Sequence, residues 1–147
     1  MKIFNTNENS WSEKVNFVDD NNVLVGFDMS QDCCESFGWF VCSKEPTKII
    51  EEENAEKLET EGYQFDVDYF KEVTPDEECW DEGGMAIFRL VNGESEMFLA
   101  LHNSHNGYYS HGFDMKVGGK TIRASSLYNI QAQRATDSNA ISTKELQ

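Results

Sequence analysis

All three histidines of this 147-residue chain, His102, His105 and His111, lie within one short window of the sequence. The window also contains Asn106-Gly107. An Asn-Gly pair between two apolar segments is a strong signal for a two-residue hairpin turn, because both turn residues must tolerate positive φ. A turn at 106–107 predicts that His102 and His111 are cross-strand neighbours, with Cβ atoms roughly 4.5–5.5 Å apart. We therefore expect a small polar site at this end of a sheet.

Two imidazoles on adjacent strands can chelate zinc when a further ligand joins them. The segment Asp32-Cys33-Cys34-Glu35 offers thiols and carboxylates from the N-terminal half. The candidate metal ligands are His102, His111, Cys33 and Cys34. Without a metal, the same end of the hairpin could contact a ligand or a protein, and the candidate binding residues are His102, Tyr108, Tyr109 and His111. No other cofactor is indicated.

The sequence contains no group of residues with the spacing of a catalytic site. Ser104-His105 and Ser110-His111 are adjacent pairs, and neighbours on a strand point to opposite faces, so neither pair joins a nucleophile to its base. These observations favour a non-enzymatic binding or adaptor protein with an unidentified protein partner. A metal-binding protein or a small enzyme that uses His102 and His111 with a cysteine or an acid remains the alternative.

The formal net charge is −15, and the acidity is concentrated in the middle of the chain. Residues 44–82 contain 15 Asp and Glu against 4 Lys, whereas residues 83–147 contain 5 acids against 6 bases. A chain without a basic stripe does not release counterions from a phosphate backbone, so we expect no direct binding to nucleic acid. The acidic segment could instead mimic nucleic acid toward a basic partner, or simply be a solvated surface.

Length and composition predict one globular domain over residues 1–130, followed by a polar, frayed tail over 131–147. The chain has no apolar leader and no stretch that approaches the roughly 18 apolar residues of a membrane span, so we expect a cytoplasmic protein that does not contact membranes. Free thiols fit that compartment. Cys42 lies in the apolar run 39–42, which favours a buried, inert thiol.

The C-terminal half predicts a four-stranded antiparallel meander, because three two-residue turn signals separate four apolar segments. The turns are 92–93, 106–107 and 118–119, and the strands are 85–91, 94–104, 109–117 and 120–127. The first turn places Arg89 opposite Glu96, and the third places Asp114 opposite Arg123. Strands 85–91 and 94–104 are apolar on both faces, so each face requires a cover.

The N-terminal half predicts further strands at 14–18, 23–27, 37–43 and 63–69. Residues 47–61 are rich in Glu, Lys and Ala and end before Gly62, which is typical of a short surface helix with a glycine cap. The predicted fold is therefore mainly antiparallel β, either α+β or β-sandwich-like, with the C-terminal meander packed on the N-terminal strands and one short helix near 47–61.

The stretch 98–113, in which an apolar strand runs into Asn106-Gly-Tyr-Tyr-Ser-His-Gly-Phe113, resembles a motif of small uncharacterised bacterial and phage proteins. The element Cys33-Cys34-Glu35 is similar to a Cys-Cys-Glu element of such families. The resemblance implies a protein of the accessory genome or of a mobile element. It assigns no activity and no catalytic residue.

Overall fold

The computed structural model describes residues 1–9, 12–29, 36–50, 55–73, 82–105 and 112–126, and all of its regular secondary structure in these ranges is antiparallel β-strand. The strands are β1 (Lys2–Asn9), β2 (Ser12–Val18), β3 (Leu24–Asp28), β4 (Ser36–Cys42), β5 (Gln64–Val73), β6 (Glu82–Asn92), β7 (Ser95–His105), β8 (Gly112–Val117) and β9 (Lys120–Ser126). The predictions of β2, β3, β4 and β5 are confirmed to within a few residues.

The strands form two sheets. The first has the order β1-β2-β3-β8-β9, and the second has the order β4-β7-β6-β5. Every pairing is antiparallel. The predicted class, mainly antiparallel β with a sandwich-like arrangement, is therefore confirmed.

One hydrophobic core joins the two sheets. The Phe88 ring of β6 meets the Phe113 ring of β8 edge-on, with centroids 5.5 Å apart. Phe17 of β2 meets Trp39 of β4 in the same way at 5.0 Å. The core also includes apolar side chains from β2, β3, β6, β7 and β8, namely Val15, Val25, Phe27, Ala86, Leu90, Met97, Leu99, Leu101 and Met115. Burial of these inner faces supplies the main driving force for folding.

The outer face of β6 and β7 is apolar as well. Met85, Ile87, Phe98 and Ala100 are buried there in a second cluster with residues of β4. Partly buried side chains of the 43–63 segment, among them Ile50 and Ala55, and of β5 pack against this cluster. The prediction that both faces of the strand pair require a cover is confirmed, because the other sheet covers one face and this segment helps to cover the other.

The prediction of a single four-stranded C-terminal meander is wrong. Strand β7 pairs with β4 on one side and with β6 on the other, whereas β8 pairs with β3 and β9 in the other sheet. The chain therefore changes sheet between β7 and β8. The physical reason is that β4 pairs along the edge of β7 that β8 would have used, so that β7, which is apolar on both faces, becomes an interior strand without β8. The N-terminal strands extend both sheets as well as covering them.

The first hairpin turn is one residue further along than predicted. Asn92 pairs with Ser95, so Gly93-Glu94 forms the loop, with Gly93 at a φ of 62°. Arg89 consequently pairs with Phe98 rather than with Glu96. The opposite charges still meet diagonally, because Arg89 Nε donates to Glu96 Oε2 at 2.8 Å.

The third turn is confirmed, since Val117 pairs with Lys120 and both Gly118 and Gly119 have positive φ. The predicted pairing of Asp114 with Arg123 is wrong. A register shift between Met115 and Lys116 places Asp114 opposite Ala124 instead. An irregularity of one residue in a ladder changes every cross-strand partner beyond it.

The helix predicted near 47–61 is absent from the described residues of that segment, 47–50 and 55–61. Its few apolar residues, Ile50 and Ala55 among them, pack on the outer face of the second sheet without helical hydrogen bonding. A thin apolar stripe gives a short helix too little tertiary stabilisation to offset the cost of nucleation. No helix in the described part of the chain is long and apolar enough to cross a membrane.

Asp19 fastens the two sheets at one end. Its carboxylate accepts hydrogen bonds from the backbone N–H of Asn21 at 3.0 Å and of Val23 at 2.9 Å, which closes the β2–β3 turn. The other carboxylate oxygen accepts from the N–H of Phe65, on β5 of the other sheet, at 2.9 Å. The side chain is buried, so these bonds are shielded from water.

We expect Asp19→Ala to lower the free energy of unfolding by about 3 kcal/mol, because three backbone donors lose a charged acceptor in a buried position. Urea denaturation measures the loss. Asp20→Ala is the matched control, since Asp20 is exposed, and its effect should stay within about 0.5 kcal/mol. Equal effects of the two substitutions would contradict the role assigned to Asp19.

Candidate functional site

His102 lies near the end of β7 on the outer face of the second sheet. Its side chain is 9% exposed, and its ring centroid is 5.8 Å from that of Phe40. The imidazole lies over Gly38 of β4, where a Cβ would come within 3.2 Å of Nε2. A glycine at position 38 therefore leaves the space that the ring occupies.

The pairing of His102 with His111 across a β7–β8 hairpin is wrong. His102 pairs in register with Gly38 on one side and with Met85 on the other. Both edges of β7 are thus occupied by other strands, and no place is left for β8. The turn at 106–107 and the other candidate residues, which are Cys33, Cys34, Tyr108, Tyr109 and His111, lie outside the described residues.

Three connections between strands meet at one end of the sandwich, which we call the loop end, and the β1–β2 pair also ends there, where Asn9 pairs with Ser12. Ser36 at the start of β4 pairs with Ser104, and Glu82 at the start of β6 pairs with His105. Phe27 near the end of β3 pairs with Phe113 near the start of β8, and Val73 at the end of β5 pairs with Met85. The connections β3–β4, β5–β6 and β7–β8 therefore leave from and return to the same end.

The opposite end, which we call the turn end, contains three tight turns and the long β4–β5 connection, residues 43–63. The β2–β3 turn, the Gly93-Glu94 turn and the Gly118-Gly119 turn all lie there. Asn21 Nδ2 donates to Gln64 Oε1 at 2.6 Å, so the two sheets also contact each other at this end. Exposed acids, Asp20, Glu59, Glu61 and Glu94, lie on or beside these turns.

Cys42 is buried on the outer face of the second sheet, as its apolar neighbours predicted. Burial, reinforced by the nearby Glu56 carboxylate, raises the pKa of the thiol to about 11. Sγ donates to the backbone carbonyl of Lys44 at 3.0 Å. A thiol with this pKa is protonated at neutral pH and is a poor nucleophile and a poor metal ligand.

A row of polar residues crosses the first sheet on its outer face. Asn16 of β2 pairs with Gly26 of β3, and Gly26 pairs with Asp114 of β8. Asn16 is fully buried and Asp114 is 2% exposed. Sequence reasoning missed this row because it treated Asp114 as a surface ion-pair partner. The available signal was Gly26, since a glycine inside a strand often marks a close approach of neighbouring groups.

Within the described ranges, no three His, Cys, Asp or Glu side chains are close enough together to hold a metal ion. His102 is the one described member of the predicted ligand set. The structure therefore places only His102 of this set, near the loop end, and the zinc site remains a prediction.

The strand order and the shared core define a two-sheet antiparallel sandwich. A family model described as a domain of unknown function, DUF7448, matches residues 1–115, which is more than half of the chain. The protein therefore belongs to the DUF7448 family. No curated protein and no solved structure matches it. The matched range contains β1 to β7 and ends within β8, so the loop-end connections fall inside the family domain.

Cys42 should react slowly with iodoacetamide in the folded protein at pH 8, as followed by mass spectrometry of the peptide that contains it. A pKa raised from 9.0 to about 11 lowers the thiolate fraction about a hundredfold, and burial slows access further. In urea the same peptide should react at the rate of an ordinary cysteine. Similar rates in the two states would show that Cys42 is accessible and contradict this account.

Proposed function

We propose that this protein is a non-enzymatic binding or adaptor protein that contacts a protein partner through its loop end. The contact residues would be His102 together with Tyr108, Tyr109 and His111 from the β7–β8 connection. In keeping with the resemblance of the 98–113 motif, we propose that it acts in the cytoplasm of a bacterium and belongs to the accessory genome or to a phage.

The observation that carries the proposal is the convergence of three connections at one end of a rigid core. Ser36, Glu82 and His105 bring the ends of β4, β6 and β7 together. Loops held by a rigid sandwich can vary in sequence without disturbing the core, and binding residues are found on such loops more often than on the scaffold. The aromatic residues Tyr108 and Tyr109 belong to the types enriched at protein interfaces.

The other surfaces of the protein are less suited to binding a partner. The inner faces of both sheets form the core, and the 43–63 segment packs on the outer face of the second sheet. At the turn end, three connections are tight turns, and apolar residues of the fourth, the 43–63 segment, pack on the outer face of the second sheet. These features support the loop end as the contact surface by comparison.

Charge indicates the chemistry of the partner. The β5–β6 connection, residues 74–81, contains four acids and no base, and the whole chain has a net charge of −15. We therefore propose a partner with a basic surface, so that association is electrostatically steered and weakens as salt rises. The partner could be a nucleic-acid-binding protein that binds the acidic chain as a mimic of nucleic acid. In that case duplex DNA should compete with this protein for the partner.

The test compares two double variants. In the loop-end variant, Tyr109→Ala is combined with His111→Ala, and in the turn-end variant, Glu61→Ala is combined with Glu94→Ala. Each immobilised protein is exposed to lysate of the host cell, and retained proteins are quantified by mass spectrometry and then titrated in purified form. We expect one basic protein to bind the wild type and the turn-end variant, and to bind the loop-end variant at least tenfold more weakly.

Matched thermal unfolding of the three proteins controls for loss of structure. Retention of the same protein by the loop-end variant at wild-type affinity would contradict the proposal. So would loss of binding in the turn-end variant alone, which would move the contact to the opposite end.

A zinc site is the second candidate function, and the position of His102, three residues before the end of β7, favours it. The neutral imidazoles of His102 and His111 would bind the ion with Cys33 or Cys34, and metal analysis of the purified protein tests this. We expect stoichiometric zinc that is lost in His102→Ala and His111→Ala and kept in His105→Ala. Wild-type protein that takes up no zinc on titration would eliminate this candidate.

A further inference from the structure

The polar row of the first sheet leaves two buried oxygen atoms that have no hydrogen-bond partner among the described residues. They are Oδ1 of Asn16 and Oδ2 of Asp114. Both side chains are on the outer face, one strand to either side of Gly26. A buried acceptor without a partner costs roughly 1–3 kcal/mol, so the pair requires a physical explanation.

The orientation of Asn16 is fixed by its amide nitrogen. Nδ2 donates to the backbone carbonyl of Phe4 at 3.3 Å and to Oγ1 of Thr6 at 3.2 Å. Both acceptors are on β1, so Oδ1 is the atom left on the side of Gly26. A Cβ built at Gly26 would lie 3.5 Å from Asn16 Oδ1 and 3.2 Å from Asp114 Oδ1. The glycine thus leaves a small space toward which Oδ1 of each side chain projects, and the unpartnered Oδ2 of Asp114 belongs to the same carboxyl group.

The charges around this space decide which ligand fits it. The neighbouring charged groups on this face are Lys14 of β2, Lys116 of β8 and Asp28 of β3, which pairs with Lys14, while β9 places Ala124 opposite Asp114. Two ammonium groups beside Asp114 disfavour a metal cation. Carbonyl and carboxylate oxygens that face the space disfavour an anion, because neither can donate a hydrogen bond.

We propose that Asp114 is a proton-binding site, in which the protonated carboxyl donates across Gly26 toward the amide oxygen of Asn16. The proton removes the buried negative charge of the carboxylate. It also converts one of the two acceptors into a donor, so that a hydrogen bond can form between the side chains. The site joins β2 to β8 across β3, and the pairing of β3 with β8 holds the N-terminal and C-terminal strands of the first sheet together. Protonation therefore strengthens the junction on which the first sheet depends.

The electrostatics agree with this geometry. Burial raises the pKa of Asp114 from 3.8 to about 6, although Lys14 and Lys116 act in the opposite direction. Because the folded-state pKa is above the unfolded one, the folded state binds more protons between pH 3.8 and about 6. The contribution of Asp114 to stability is therefore greatest below pH 3.8, declines as the pH rises through that interval, and is lost above about pH 6.

Two measurements test the proposal. Carbon-13 NMR titration of the folded protein follows the carboxyl of Asp114, and we expect a midpoint near 6. Urea denaturation at pH 4 and pH 7.5 compares the wild type with Asp114→Asn, in which an amide replaces the carboxyl and keeps a donor. The ratio of their unfolding constants should change about a hundredfold between the two pH values, because a pKa difference of about two units corresponds to that factor.

Asp20→Asn is the matched control, since Asp20 is exposed at the β2–β3 turn, and its ratio to the wild type should change less than threefold. A midpoint near 3.8 in the NMR titration would overturn the proposal, and this measurement requires no variant to fold. An unchanged ratio for Asp114→Asn would overturn it independently. Gly26→Ala adds a test of the geometry, because a methyl group between the two side chains should move the NMR midpoint away from that of the wild type.

Discussion

The fold depends on one constraint, which is that strand β7 must be buried on both faces while it is bonded along both edges. Met97, Leu99 and Leu101 project into the core, and Phe98 and Ala100 project outward into the second apolar cluster. A strand of this kind is stable only in the interior of a sheet that is covered on both sides. Strands β4 and β6 occupy its edges, the other sheet covers one face, and the 43–63 segment helps to cover the other.

The same constraint determines where the connections lie. Because both edges of β7 are occupied, the chain has to change sheets to form β8, and it changes sheets in the same way between β3 and β4. Both crossings are made at the loop end, whereas at the turn end each connection joins strands of the same sheet and Asp19 fastens the two sheets together. The turn end is thus tied together by the hydrogen bonds of Asp19, and the loop end carries both crossings between the sheets, where we propose that the partner binds.

Most of the strands could be predicted from the sequence, but the pairings between strands that are distant in the chain could not. Alternation and glycine turns are local signals, and they located β5 and the Gly118-Gly119 turn. Strand β1 was missed because Lys2–Asn9 is mostly polar. The pairing of His102 depends on β4, a partner about 60 residues away, and no local pattern contains that information. The Asn16, Gly26 and Asp114 row depends on the register of β3 with the distant strand β8, so Asp114 could not be grouped with the other two residues beforehand.

The placement of β7 between β4 and β6 is the claim that supports the rest, and cross-strand Hα–Hα NOEs in the isotope-labelled protein test it most directly. We expect NOEs that join β7 to β4 around His102 and Gly38, together with NOEs that join β3 to β8 around Gly26 and Asp114. NOEs between β7 and residues 112–117 would instead restore a single C-terminal meander. That result would contradict the sandwich, the loop end and the proton site together.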